Sequence, residues 1–166
     1  LGLAAVMYMD DNGERFCRTS AAFMTEIKTA GNTDVIWYRL FNKYANSEPT
    51  FVCPSDSSKS SAKWDASGGT WNESTTAAGS NYFPLSYGVN HNMDGASQGN
   101  VLYPSETGMV FESTTVLSYE SSTWEPRTTI RDAARHTTKF NACMFDGHVQ
   151  SRPQAAYVQF NLNNSK

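Results

Sequence analysis

The sequence is short of charge and nowhere concentrates it. Asp, Glu, Lys and Arg make up 17 % of its 166 residues, against about 25 % in ordinary soluble domains. The 13 Lys and Arg residues are scattered and the formal net charge is -3, so the basic stripe that nucleic acid demands is missing. No apolar run in the sequence reaches the roughly 18 residues that would cross a bilayer. Cysteine is scarce as well. Cys17, Cys53 and Cys143 form no Cys-x-x-Cys pair, which argues against a zinc ribbon or a thioredoxin-type motif. An odd count also leaves at least one thiol unpaired in a monomer. The sequence contains no Gly-x-Ser-x-Gly elbow, Walker loop or dinucleotide fingerprint.

Ser, Thr and Asn fill the gap left by charge, at 48 residues together. A surface solvated by hydroxyls and amides points to an extracytoplasmic setting. The length suits a single domain over residues 1–166, large enough to bury a core without metals or disulfides.

The opening LGLAAVMYM holds nine uncharged residues. They favour a helix and read as the lower end of a longer apolar one, with Asn12-Gly13 as a left-handed exit. The upstream part of such a helix is expected to carry ~20 apolar residues. Thr19 or Ser20 is placed to cap a short helix ending at Gly31. From Asp34 to Ala45, Trp37, Leu40, Phe41 and Tyr44 recur at helical spacing and form one core-facing stripe. Asn46 and Pro49 end that helix. Residues 55–80 show no apolar period and read as a long surface loop. Trp64 and Trp71 lie inside it, as pins to the body or, in the second reading, as stacking contacts for a glycan.

After Leu85 the pattern changes to short runs, "LSYGVNHNMDG", "GMVFES", "FNACMF" and "HVQSR", separated by turn residues. They read as antiparallel strands. Helices first and strands later give an α+β fold. Asp146-Gly147 marks a hairpin, read as a type I′ turn. Phe140, Ala142 and Met144 face one side of its first strand, and Asn141, Cys143 and Phe145 the other.

Nine residues separate His136 from Asp146-Gly147, and His148 follows at once. This spacing admits a metal site, an acid/base pair or a hairpin alone. His91, His136 and His148 with Asp94 and Asp146 are the candidate metal ligands, at spacings that match no zinc motif. The expectation is structural: His136 hydrogen-bonded near the hairpin, with Asp146-Gly147 as its turn.

The same residues carry a resemblance. His136-x9-Asp-Gly within "HTTKFNACMFDGHV" resembles the C-terminal signature of a bacterial prepilin-type family, similar to the major (G-type) pseudopilin of the type II, or general, secretion pathway. "LGLAAVMYMDDNGERF" resembles the lower pilin-like helix and its exit, though Cys17 stands where such sequences often carry proline. "WYRLFNKYANSEPTFVCPSD" and "YGVNHNM" resemble two further segments of the family, in the same order along the chain.

The resemblance implies a pilin-like fold, an N-terminal helix on a small antiparallel sheet with long loops. It implies a leader cleaved and methylated by a prepilin peptidase. The partners implied are other pseudopilin subunits, the secretion machinery, and the inner membrane through the upstream helix. The location implied is the periplasmic face of that membrane, or the cell surface. The major pseudopilin binds calcium in a C-terminal loop; no loop here matches it residue by residue, so that site is not carried over and no other cofactor is expected. A non-catalytic subunit is therefore the leading expectation, ahead of an extracellular glycan-binding module and of a hydrolase using paired carboxylates. In an oxidising compartment Cys17 is expected to pair with Cys53, leaving Cys143 as a buried free thiol in a strand.

Overall fold

The computed structural model describes residues 1–19, 23, 26, 36–56, 61–64, 71–74, 82–113, 117–118 and 135–153, with backbone alone at 61–64, 71–74, 82–84 and 117–118. Helix α1 spans Gly2–Asp11. It stops because Gly13 and Glu14 take φ of +66° and +57°, and the Glu14 N–H folds back onto the Met9 carbonyl at 2.8 Å. Helix α2 spans Trp37–Ala45 and closes on a left-handed Asn46, φ +47°, whose N–H reaches the Asn42 carbonyl. Pro49 then opens a single 3-10 turn, Glu48–Phe51. The helix foreseen between Thr19 and Gly31 lies mostly outside the described residues.

The strands are β1 (Ser61–Trp64), β2 (Trp71–Ser74), β3 (Tyr82–Pro84), β4 (Tyr87–Asn90), β5 (Gly108–Glu112), β6 (Leu117–Ser118), β7 (Lys139–Met144) and β8 (Val149–Pro153). One sheet has the order β6-β4-β5-β7-β8. Its four longer strands are antiparallel, and the two-residue β6 adds a parallel edge beside β4. The fold is thus α+β, with α1 and α2 preceding a mainly antiparallel sheet.

Residues 55–80 depart from the expected loop. They contain β1 and β2, paired antiparallel with Trp64 opposite Trp71, and β3 completes a three-stranded sheet. A backbone ladder needs no apolar alternation, so hydrophobic periodicity is blind to strands made of Ser, Lys, Asn and Glu.

The core is built from aromatic rings in contact. Trp37 meets Phe41 at 5.7 Å between centroids, Phe41 meets Phe16 at 6.2 Å, and Phe16 meets Phe145 at 5.3 Å. This chain of rings ties α2 to the β7–β8 hairpin. Ala4, Ala5 and Met9 bury the inner face of α1 in the same cluster. The approach at its start is close: a Cβ on Gly2 would stand 2.2 Å from the Cys143 Sγ. The other face of β7 buries Phe140, Ala142 and Met144 with Phe111 in a second cluster, the alternation read from the sequence. Outward, α1 leaves Leu3 72 % and Met7 42 % exposed, one turn apart.

Candidate functional site

Three segments separated in sequence meet around His136. The first is Cys-Pro-Ser-Asp. It is a tight turn with Pro54 at its second position, where a fixed φ near −65° favours turning. The Asp56 N–H closes it on the Cys53 carbonyl at 2.9 Å. The second is the Ser86-Tyr87 entry to β4 together with the end of β5, where Glu112 is completely buried. The third is the 135–139 bend leading into β7.

In that bend His136 and Lys139 exchange backbone hydrogen bonds, N–H to O, at 3.2 and 3.1 Å. Thr137 and Thr138 between them take φ of +54° and +67°. Two left-handed residues at the centre define a primed turn, and β-branched side chains are poorly suited to it.

The bend aims two side chains inward. Arg135 meets Asp56 at 2.9 Å and donates to the carbonyls of Ser86 at 3.0 Å and Ser113 at 3.3 Å. The Ser86 hydroxyl donates to the same Asp56 oxygen, Oδ2, at 2.6 Å. His136 Nε2 stands 2.7 Å from Glu112 Oε1 and 3.4 Å from Cys53 Sγ. The other carboxylate oxygen of Glu112 accepts the Asn141 N–H at 3.0 Å. Cys53, Glu112 and His136 thereby bring one sulfur, one oxygen and one nitrogen within 4.8 Å of one another. Cys53 and Glu112 are buried, and the His136 side chain keeps 34 % of its surface open.

Burial pushes the Cys53 thiol up, and the Glu112 carboxylate adds to the effect. Tyr87 is pushed up to about 12, first by burial and then by the same Cys53 and Glu112. A protonated thiol is a weak nucleophile. The geometry also lacks a catalytic relay, in which the nucleophile sits on one imidazole nitrogen and the orienting carboxylate on the other. Here both converge on Nε2. Three ligand atoms grouped within 4.8 Å of one another suit a shared hydrogen-bond centre or a metal site.

The expected hydrogen bond of His136 is therefore present, with Glu112 as its partner. The five-residue metal set is not assembled. Among the described residues the single His/Cys/Asp/Glu group of ligating geometry is Cys53, Glu112 and His136. His148 instead pairs within its own turn, Nδ1 to Asp146 Oδ1 at 2.5 Å on the surface. His91 lies in a 3-10 turn after β4.

The Cys17–Cys53 bridge is also not formed: all three cysteines are free and buried. Cys17 belongs to the aromatic core, its carbonyl accepting the Gly95 N–H, whereas Cys53 faces His136. Cys143 is the buried strand thiol foreseen. Trp64 and Trp71 hold facing register positions on β1 and β2.

Asp146-Gly147 does turn the hairpin, by another geometry than the one read from the sequence. Only Gly147 is left-handed, at φ +88°. Its N–H bonds to the Met144 carbonyl at 2.9 Å, and the Met144 N–H to the His148 carbonyl at 2.9 Å, a three-residue loop closed by a left-handed glycine.

Glu112 and Arg135 carry the site and were not singled out from the sequence. The available signal was a carboxylate ending "GMVFE", a strand whose other residues all suit a fully buried position. Comparison with protein-family models, with curated proteins and with solved structures returns no match.

Proposed function

We propose that this chain is the globular part of a non-catalytic, pseudopilin-like subunit, anchored at the inner membrane or assembled into a pilus-like fibre outside the cytoplasm. The observation that carries the reading is α1. Its inner face is sealed into the core by Ala4, Ala5 and Met9, while Leu3 and Met7 present an apolar stripe outward. An apolar outer face on a helix that packs against α2 and the common core suits packing against neighbouring subunits.

The test uses the full-length gene product in cells with and without a prepilin peptidase. The expected product is shortened and N-methylated only when the peptidase is present, as read by mass spectrometry of its N-terminus. It fractionates with inner membrane or sheared fibres, and Leu3→Asp with Met7→Asp reduces its recovery with fibres while leaving the fold intact by circular dichroism. An unprocessed product released free of both fractions overturns the reading.

A further inference from the structure

We propose that Cys53, Glu112 and His136 form a zinc site, closed by a solvent molecule in the fourth position. This inference does not depend on the subunit assignment.

The geometry is the first argument. Zinc bonds of about 2.3 Å to sulfur and about 2.0 Å to nitrogen, at tetrahedral angles, set the two ligand atoms about 3.5 Å apart. Cys53 Sγ and His136 Nε2 are 3.4 Å apart. A nitrogen and an oxygen ligand would stand about 3.3 Å apart on the same basis. His136 Nε2 and Glu112 Oε1 are at 2.7 Å, so the ion needs that pair to open by roughly half an ångström, a side-chain adjustment.

The chemistry of the donors is the second argument. A thiolate, an imidazole and a carboxylate are the ligand types zinc takes, and the thiolate selects against magnesium and calcium. On binding, the Cys53 S–H bond gives its proton to solvent and the sulfur lone pair goes to the metal. Neutral His136 ligates through Nε2 with its ring proton on Nδ1. One thiolate and one carboxylate balance the two charges of the ion. Arg135 does not compete for Glu112, because Asp56 and two carbonyls engage it.

Access is the third argument. Cys53 and Glu112 form a buried floor, and His136 is the open edge. Three protein ligands with one open side are what a water-completed zinc site requires. The ion would fasten the Cys-Pro-Ser-Asp turn, the end of β5 and the bend before β7 to one another. That gives the histidine of the signature a chemical task.

The experiment uses untagged protein, stripped with EDTA and titrated with zinc or cobalt(II). The expected result is one zinc per chain by elemental analysis and a melting temperature raised by zinc and lowered again by EDTA. The cobalt form should show a thiolate-to-metal charge-transfer band. Cys53→Ser and His136→Asn should each weaken zinc by more than the roughly 10- to 100-fold that loss of an outer-shell partner costs, and Cys53→Ser should abolish the band. His148→Ala should change none of this. Substoichiometric zinc with no cobalt band in the wild type overturns the proposal, and that arm needs no variant to fold. Zinc bound equally well by Cys53→Ser, or lost on His148→Ala, overturns it too.

Discussion

Arg135 and Asp56 form an ion pair at 2.9 Å with side chains only 8 % and 1 % exposed. The pair joins the bend before β7 to the Cys-Pro-Ser-Asp turn and is satisfied from both sides, by the Ser86 hydroxyl on the carboxylate and by two carbonyls on the guanidinium. Removing one partner leaves a buried charge with no counter-charge. Asp56→Ala is expected to cost about 3–5 kcal/mol in urea denaturation. Adding Arg135→Met to it should recover part of that loss, because the stranded cation is gone. Strictly additive single effects would mean that the two charges are not coupled.

The Thr137-Thr138 turn is strained by its own sequence. A non-glycine residue in the left-handed region costs on the order of 1–3 kcal/mol, and β-branched residues suit it least. Thr138→Gly relieves the strain at φ +67°, against the extra chain entropy glycine gives up on folding. The expected net effect is a gain of about 1 kcal/mol, read as a higher urea midpoint at unchanged slope. A lower midpoint would show that the exposed Thr138 hydroxyl bond to the Thr137 carbonyl outweighs the strain.

How far the sequence reveals this molecule depends on the range of each interaction. Helix α2 is legible because Trp37, Leu40, Phe41 and Tyr44 repeat at 3.6 residues and a left-handed Asn46 ends it. The β7 faces are legible because alternation is a local property. The turns exchange character: the primed geometry read at Asp146-Gly147 occurs at Thr137-Thr138, where no propensity points to it. Strands β1 and β2 are hidden by their polar composition. The site is the least legible part. His136 and Cys53 are 83 residues apart, and nothing local to either one names the other or brings Glu112 between them.

Gly147 is required by its turn. At φ +88° any side chain is disfavoured, and a Cβ there would stand 3.4 Å from Val6 Cγ2 on α1. Gly147→Val is expected to destabilise the fold by more than ~1 kcal/mol. Gly147→Asn should cost less, since Asn tolerates the left-handed region. Equal losses for the two variants would move the cause from backbone strain to crowding against α1.

Cys143 makes stability fall at alkaline pH. Burial raises its thiol from 9.0 to about 11, and the Asp146 carboxylate adds to the rise. The folded chain therefore holds this proton where the unfolded chain has released it. Below pH 9 both states are protonated and the contribution is intact. From about pH 9 to about pH 11 the unfolded state binds fewer protons, so the unfolding free energy declines with rising pH. Tyr38, pushed up to about 12 by burial, acts in the same direction from its ordinary value of 10.0, so wild type alone does not isolate the cysteine. The decisive quantity is the difference between wild type and Cys143→Ala in urea midpoints at pH 8 and pH 10.5. The wild type should lose more between the two. An equal loss in both proteins would assign the alkaline decline to the other groups that burial pushes up, Cys17, Cys53 and the tyrosines.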